Sequence, residues 1–175
     1  MSSAGGRAFF VDPGKVTGYG FLEWGPAYGP MPRFYGGEVD HDTFLDWIAP
    51  RAEVLVDGRP NLRLFPQQNN GVSHIICEGF KITQRTPQTN PTHRELWSVG
   101  QLFALQMYAR WAGIPFFDPF PAAKNYDKDG TKIKKLGWWD PSPGVKGEAG
   151  HRRDAARHAV KWGVDHRIIP LEALL

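Results

Sequence analysis

Two rhythms of apolar residues run along this chain. Short apolar runs bounded by Gly, Pro or polar clusters predict strands at residues 8–12, 18–24, 33–39, 73–80 and 114–117. Elsewhere apolar residues return every three or four positions. Phe44, Leu45, Trp47 and Ile48 behind Asp42 predict a helix running on toward Leu55 with a kink at Pro50. Leu96, Val99, Leu102, Phe103, Met107 and Trp111 predict a long helix over 92–111, closed by Gly113. A last helix starts near 147–150 and carries His151, Asp154, Ala155, His158, Ala159 and Trp162. The order is β-β-β-α-β-α-β-α: three strands joined by short turns, then strands alternating with helices. That order predicts an α/β fold with a mixed five-stranded sheet, antiparallel first and parallel afterwards, flanked by helices.

The segments 57–72, 81–92 and 120–147 are polar and rich in breakers, and are expected to be flexible surface loops. At 175 residues the chain is expected to be one domain with a full hydrophobic core. Its net charge of +3 permits a nucleic-acid partner without requiring one. The single cysteine, Cys77, excludes an intrachain disulfide and a CxxC zinc site, and its apolar surroundings predict an inert core thiol. Residues 1–6 lack a signal-peptide pattern and no apolar run is long enough for a membrane span, so a cytoplasmic location is expected, in a bacterial cell or in the host of a phage.

Three acids fall at comparable places. Asp12 ends the first strand, Glu78 ends the fourth, and Asp154 lies in the opening turns of the last helix. If strands one and four run side by side and parallel, their C-terminal ends adjoin, and the last helix can bring Asp154 over them. Carboxylates gathered this way suit hard divalent ions such as Mg²⁺, and two ions about 3.5–4 Å apart suit phosphodiester cleavage. His151, three residues before Asp154, and His158, four after it, share its helical face, and a neutral imidazole can bind a metal or act as general base. Taken singly, Asp12-Pro13-Gly14 is a common turn, Glu78 a strand-end acid, and the His151–Asp154 pair a solvated helix start. Only their convergence points to chemistry.

These residues resemble a known family. Asp12-Pro13-Gly14 with Gly18, Glu78 after an apolar strand, and His151, Asp154, Ala155, His158 and Ala159 look like the RuvC-type Holliday junction resolvases of the ribonuclease H-like superfamily. The resemblance extends through Val99-Gly100-Gln101 and Pro121-Ala122-Ala123-Lys124, covers roughly residues 8–163, and is weakest over 25–72. It implies a homodimer that binds branched DNA at four-way junctions and nicks two strands with divalent metal, in DNA recombination and repair. Carried over by position, Asp12, Glu78, His151 and Asp154 form the catalytic metal site, holding two Mg²⁺ ions with Mn²⁺ able to substitute. Many family members have an aspartate where this chain has His151, which leaves the metal preference open. Phe80 sits near the family's junction-wedging aromatic, although core packing explains it as well.

Six lysines between 124 and 146 stand against three aspartates and would draw phosphate toward an acidic site. Lys124, which also matches the family position, Lys134 and Lys135 are expected DNA contacts, with Lys81 and Arg85 from the acid-free stretch after Glu78. Trp138 and Trp139 would stack on unpaired bases or tuck against the core. Gly14-Lys15-Val16-Thr17 lacks the upstream glycine of a phosphate-binding P-loop, and the chain is too short for an actin-like kinase. The rival readings are another ribonuclease H-like nuclease acting on flaps, forks or structured RNA, a relative of the YqgF-like group, and an inactive branched-DNA binding module.

Overall fold

A computed structural model describes residues 5–48, 55–56, 59–60, 71–79, 93–118, 125–141 and 150–175. Its main sheet contains β1 (Gly6–Asp12), β2 (Val16–Trp24), β3 (Arg33–Asp40), β6 (Val72–Cys77) and β7 (Phe116–Phe117). The order is β3-β2-β1-β6-β7. The first three strands are antiparallel, and β6 and β7 join β1 in parallel, as the element order predicts. A separate ribbon pairs β4 (Leu55–Val56) with β5 (Arg59–Pro60).

The two sheet faces are read directly from residue parity, because successive strand side chains point to opposite sides. Phe9, Val11, Phe21, Ile75 and Cys77 form one core with α1 (His41–Ile48) and α2 (His93–Ala112). Ala8, Phe10, Leu22, Phe34 and Ile76 form the other, under α3 (Thr131–Lys135) and α4 (Gly150–Asp165). Both faces of β1 are covered, which explains its unbroken apolar run. Burial pushes the Cys77 thiol well above its ordinary pKa, as expected of an inert core residue.

Some expectations shift. The first helix is capped by Asp40, which accepts from the Thr43 amide at 2.9 Å and the Thr43 hydroxyl at 2.7 Å, and not by Asp42. Its described part is His41–Ile48, and the region of the expected Pro50 kink lies outside the described residues. Within 120–147, read from the sequence as loop, residues 125–141 carry α3 and two buried anchors. Ile133 and Trp138 enter the core, and buried Asp127 accepts from the amides of Lys132 at 2.8 Å and Ile133 at 3.0 Å, which satisfies the first turn of α3. Its charged residues hid this because they lie on the outward side of a short helix. Among the described residues no helix is long and apolar enough to cross a membrane.

Candidate metal centre

Parity also aims the strand-end acids. Asp12 follows Ala8 and Phe10 on the α4 side of β1, and Glu78 follows Ile76 on the same side of β6. The Glu78 amide donates to the Val11 carbonyl at 2.9 Å, extending the parallel ladder one residue beyond β6 and pinning Glu78 beside Asp12. Asp12 is only 3% exposed. A buried carboxylate of this kind is stable only with a compensating proton or cation.

The turn after Asp12 is held from the other face of the sheet. Gln101 of α2 is fully buried. Its amide nitrogen donates to the Gly14 carbonyl at 3.1 Å and to the Thr17 hydroxyl at 2.8 Å, and its oxygen accepts from the Gly14 amide at 3.0 Å. The same nitrogen lies 2.8 Å from His41 Nδ1, and Ser98 donates to the Pro13 carbonyl at 3.1 Å. Helix α2 therefore fixes the backbone that carries Asp12. The family-like stretch at Val99-Gly100-Gln101 marks this residue in the sequence, but nothing there shows what it holds.

Helix α4 closes the site. Its backbone at His151 and Arg152 lies directly on Gly18, the β2 partner of Asp12, where any Cβ would collide with main-chain atoms. One strand further, Glu38 pairs with Gly18 and accepts from the Arg152 amide at 3.1 Å, satisfying an otherwise unpaired donor in the first turn of α4. Glu38 carries no motif; only strand register reveals its role.

Of the four residues expected in the metal site, Asp12 and Glu78 lie together, His151 is bonded to Asp12, and Asp154 pairs with Arg157. Among the described residues, the potential ligand atoms that all lie within 4.8 Å of one another belong to Asp12, Glu78 and His158. His158 is buried, with Nε2 3.3 Å from the Glu78 carboxylate. His151 is half-exposed, and its Nδ1 lies 2.6 Å from Asp12 Oδ2. The hydrogen bond to Asp12 raises the His151 pKa above its ordinary value, against burial, with help from the charges of Asp12, Glu38 and Asp154. Asp154 accepts a 2.6 Å bond from Arg157, which also donates to the Asp127 carbonyl at 2.9 Å and so ties α4 to α3. The sequence places His158 on the right face of α4, but only the packing of that helix brings it to the acids.

Of the expected DNA contacts, Lys124, Lys81, Arg85 and Phe80 lie outside the described residues. Lys134 sits 4.5 Å above the Trp139 ring, and Arg153 lies 4.0 Å from the same ring. Lys135 is held by the carbonyls of Leu174 and Leu175. Trp138 is buried against Phe34, whereas Trp139 is half-buried.

No family model matches the chain, and no curated protein matches it. Solved structures do match, among them two of RuvC. Thermus thermophilus RuvC is 18% identical, over 93% of this chain and 97% of that one, at a TM-score of 0.49. T. thermophilus RuvC in complex with Holliday junction substrate is 19% identical, over 90% and 96%, at a TM-score of 0.50. The chain has the ribonuclease H-like fold of RuvC. At that identity the likeness concerns the fold, and the chemistry has to be argued from the residues.

Proposed function

We propose that this chain is a metal-dependent, structure-selective endonuclease that resolves four-way DNA junctions by phosphodiester hydrolysis. The observation that carries this reading is the meeting of Asp12 and Glu78 at the C-terminal ends of two adjacent parallel strands, with α4 imidazoles over them. Carboxylate oxygens suit Mg²⁺ or Mn²⁺, and a two-ion arrangement is the one we favour. A divalent cation held there would polarise the scissile phosphate and make a bound water a nucleophile near neutral pH.

The chain's own groups supply the remainder. Asp12 and Glu78 hold the cation. His151 and Asp12 lie at hydrogen-bond distance; a cation taken up by Asp12 would displace the proton between them to solvent, and the neutral His151 imidazole could then accept a proton from the attacking water. Asp154, three residues from His151 and four from His158 on α4, is assigned to the same site, with Arg157 the partner it would give up. The expected products carry 5′-phosphate and 3′-hydroxyl ends. Lys124, Lys81, Arg85, Phe80, Lys134 and Lys135 are the proposed DNA contacts, with Trp139 as the stacking surface.

Symmetric nicking of a four-way junction calls for two sites, hence a homodimer. Its proposed interface is the outer stripe of α2, where Phe103, Met107 and Trp111 recur at one-turn intervals and are 61%, 44% and 50% exposed. A monomer by light scattering at micromolar concentration would rule this arrangement out.

The test is a substrate panel with Mg²⁺ and with Mn²⁺. The protein is expected to nick a synthetic four-way junction in preference to linear duplex, and Asp154→Asn and Asp12→Asn to bind the junction without cutting it. Equal cutting of flaps, forks or RNA–DNA hybrids would replace the resolvase reading with a broader nuclease. Junction binding with no cutting under either metal would leave a binding module.

A further inference from the structure

We infer that His158 is itself a ligand of the catalytic cation, and that it turns the site from an oxygen-only Mg²⁺ site into a mixed nitrogen–oxygen site that prefers Mn²⁺. The inference rests on the metal-site reading above and assigns a ligand outside the four residues that the family resemblance implies.

The position on α4 would pack well with an apolar side chain. His158 sits among Ala155, Ala159 and Trp162, all buried, on the face that meets the sheet. It is only 2% exposed, and its Nδ1 is buried with no hydrogen-bond partner among the described residues. Buried histidines kept for structure normally satisfy both ring nitrogens, whereas here only Nε2 faces a partner, the Glu78 carboxylate. That contact is a weak one. At 3.3 Å it is longer than the roughly 2.7–2.9 Å of a charge-assisted hydrogen bond.

That spacing has a different meaning if a cation stands between the two groups. Two ligand atoms at about 2.0–2.1 Å from a metal and at right angles to each other lie about 3 Å apart. Asp12 contributes the third atom within the same 4.8 Å envelope. Imidazole nitrogen binds Mn²⁺ readily, whereas Mg²⁺ prefers oxygen and dehydrates reluctantly. Replacing one oxygen by this nitrogen therefore weakens the claim of Mg²⁺ on the site.

The experiment is Mn²⁺ binding without DNA, read by calorimetry and by electron spin-echo detection of ¹⁴N coupling to the bound Mn²⁺. Wild type is expected to bind Mn²⁺ at least about tenfold tighter than Mg²⁺ and to show directly coupled imidazole nitrogen. His151→Asn is expected to keep that coupling. His158→Asn, which retains an N–H for Glu78, is expected to lose it and to lower Mn²⁺ affinity about tenfold or more. Mn²⁺ bound without nitrogen coupling, or coupling that disappears in His151→Asn, overturns the role of His158 while leaving the metal site. No Mn²⁺ binding at all overturns both. The wild-type and His151→Asn spectra decide the question even if the His158 variant fails to fold.

Discussion

Replacing Gly18 with alanine puts a single methyl group at the joint on which the proposed site depends. A Cβ there would lie 2.6 Å from the Arg152 amide nitrogen and closer still to the carbonyl carbon and oxygen of His151, whereas ordinary contact begins near 3.4 Å. These are backbone atoms, so no rotamer change relieves the clash. The start of α4 must lift by roughly 1 Å or more to relieve the closest of these contacts, and it carries His151 and His158 away from Asp12 and Glu78 as it does so. Overpacking of this kind costs about 1–3 kcal/mol, and a displacement near 1 Å at reacting groups costs about a hundredfold in rate. Gly18→Ala is therefore expected to lower the melting temperature, to weaken Mn²⁺ binding, and to cut junction nicking about a hundredfold while junction binding persists. Gly100→Ala is the matched control, because a Cβ there meets open space on an exposed helix face. It should be stable to within about 1 kcal/mol of wild type or better. The reasoning fails if Gly18→Ala binds Mn²⁺ and nicks as well as the Gly100 variant does.

Two further outcomes follow from the supports around Asp12. Gln101→Leu leaves the Gly14 amide without its buried acceptor, so chemical denaturation should show a loss of about 1–3 kcal/mol. Nicking should fall further than junction affinity, because the turn that positions Asp12 is no longer fixed. The pH dependence follows from His151, whose pKa is raised by its bond to Asp12. Pairing with Asp12 stabilises the metal-free fold fully below the ordinary imidazole value, and this stability disappears as pH rises through the raised value. Mn²⁺ competes with that proton, so its affinity should climb across the same interval. His151→Asn should move the rise to lower pH and flatten the metal-free melting profile, and an unchanged calorimetric pH profile would refute the coupling.

Local sequence pattern was enough for the five strands of the main sheet and the three longest helices, for the strand parity that turns Asp12 and Glu78 toward one face, and for the set of residues on the matching face of the last helix. These follow from local periodicity, in which two residues per repeat fix a strand's faces and 3.6 fix a helix's. Periodicity cannot fix how deeply a helix seats or where it slides along its partner. His151, Asp154 and His158 span two turns of one face, and each was equally eligible from the sequence. Contacts across the fold decide their places: Gly18 lets α4 press onto β2, Glu38 holds its first turn, His151 bonds to Asp12, and His158 reaches the acids. They also bury Trp138 against Phe34 and build α3 inside a segment whose charges read as loop. Each of these depends on contacts between residues far apart in the chain, and such contacts leave no periodic trace in either partner's neighbourhood.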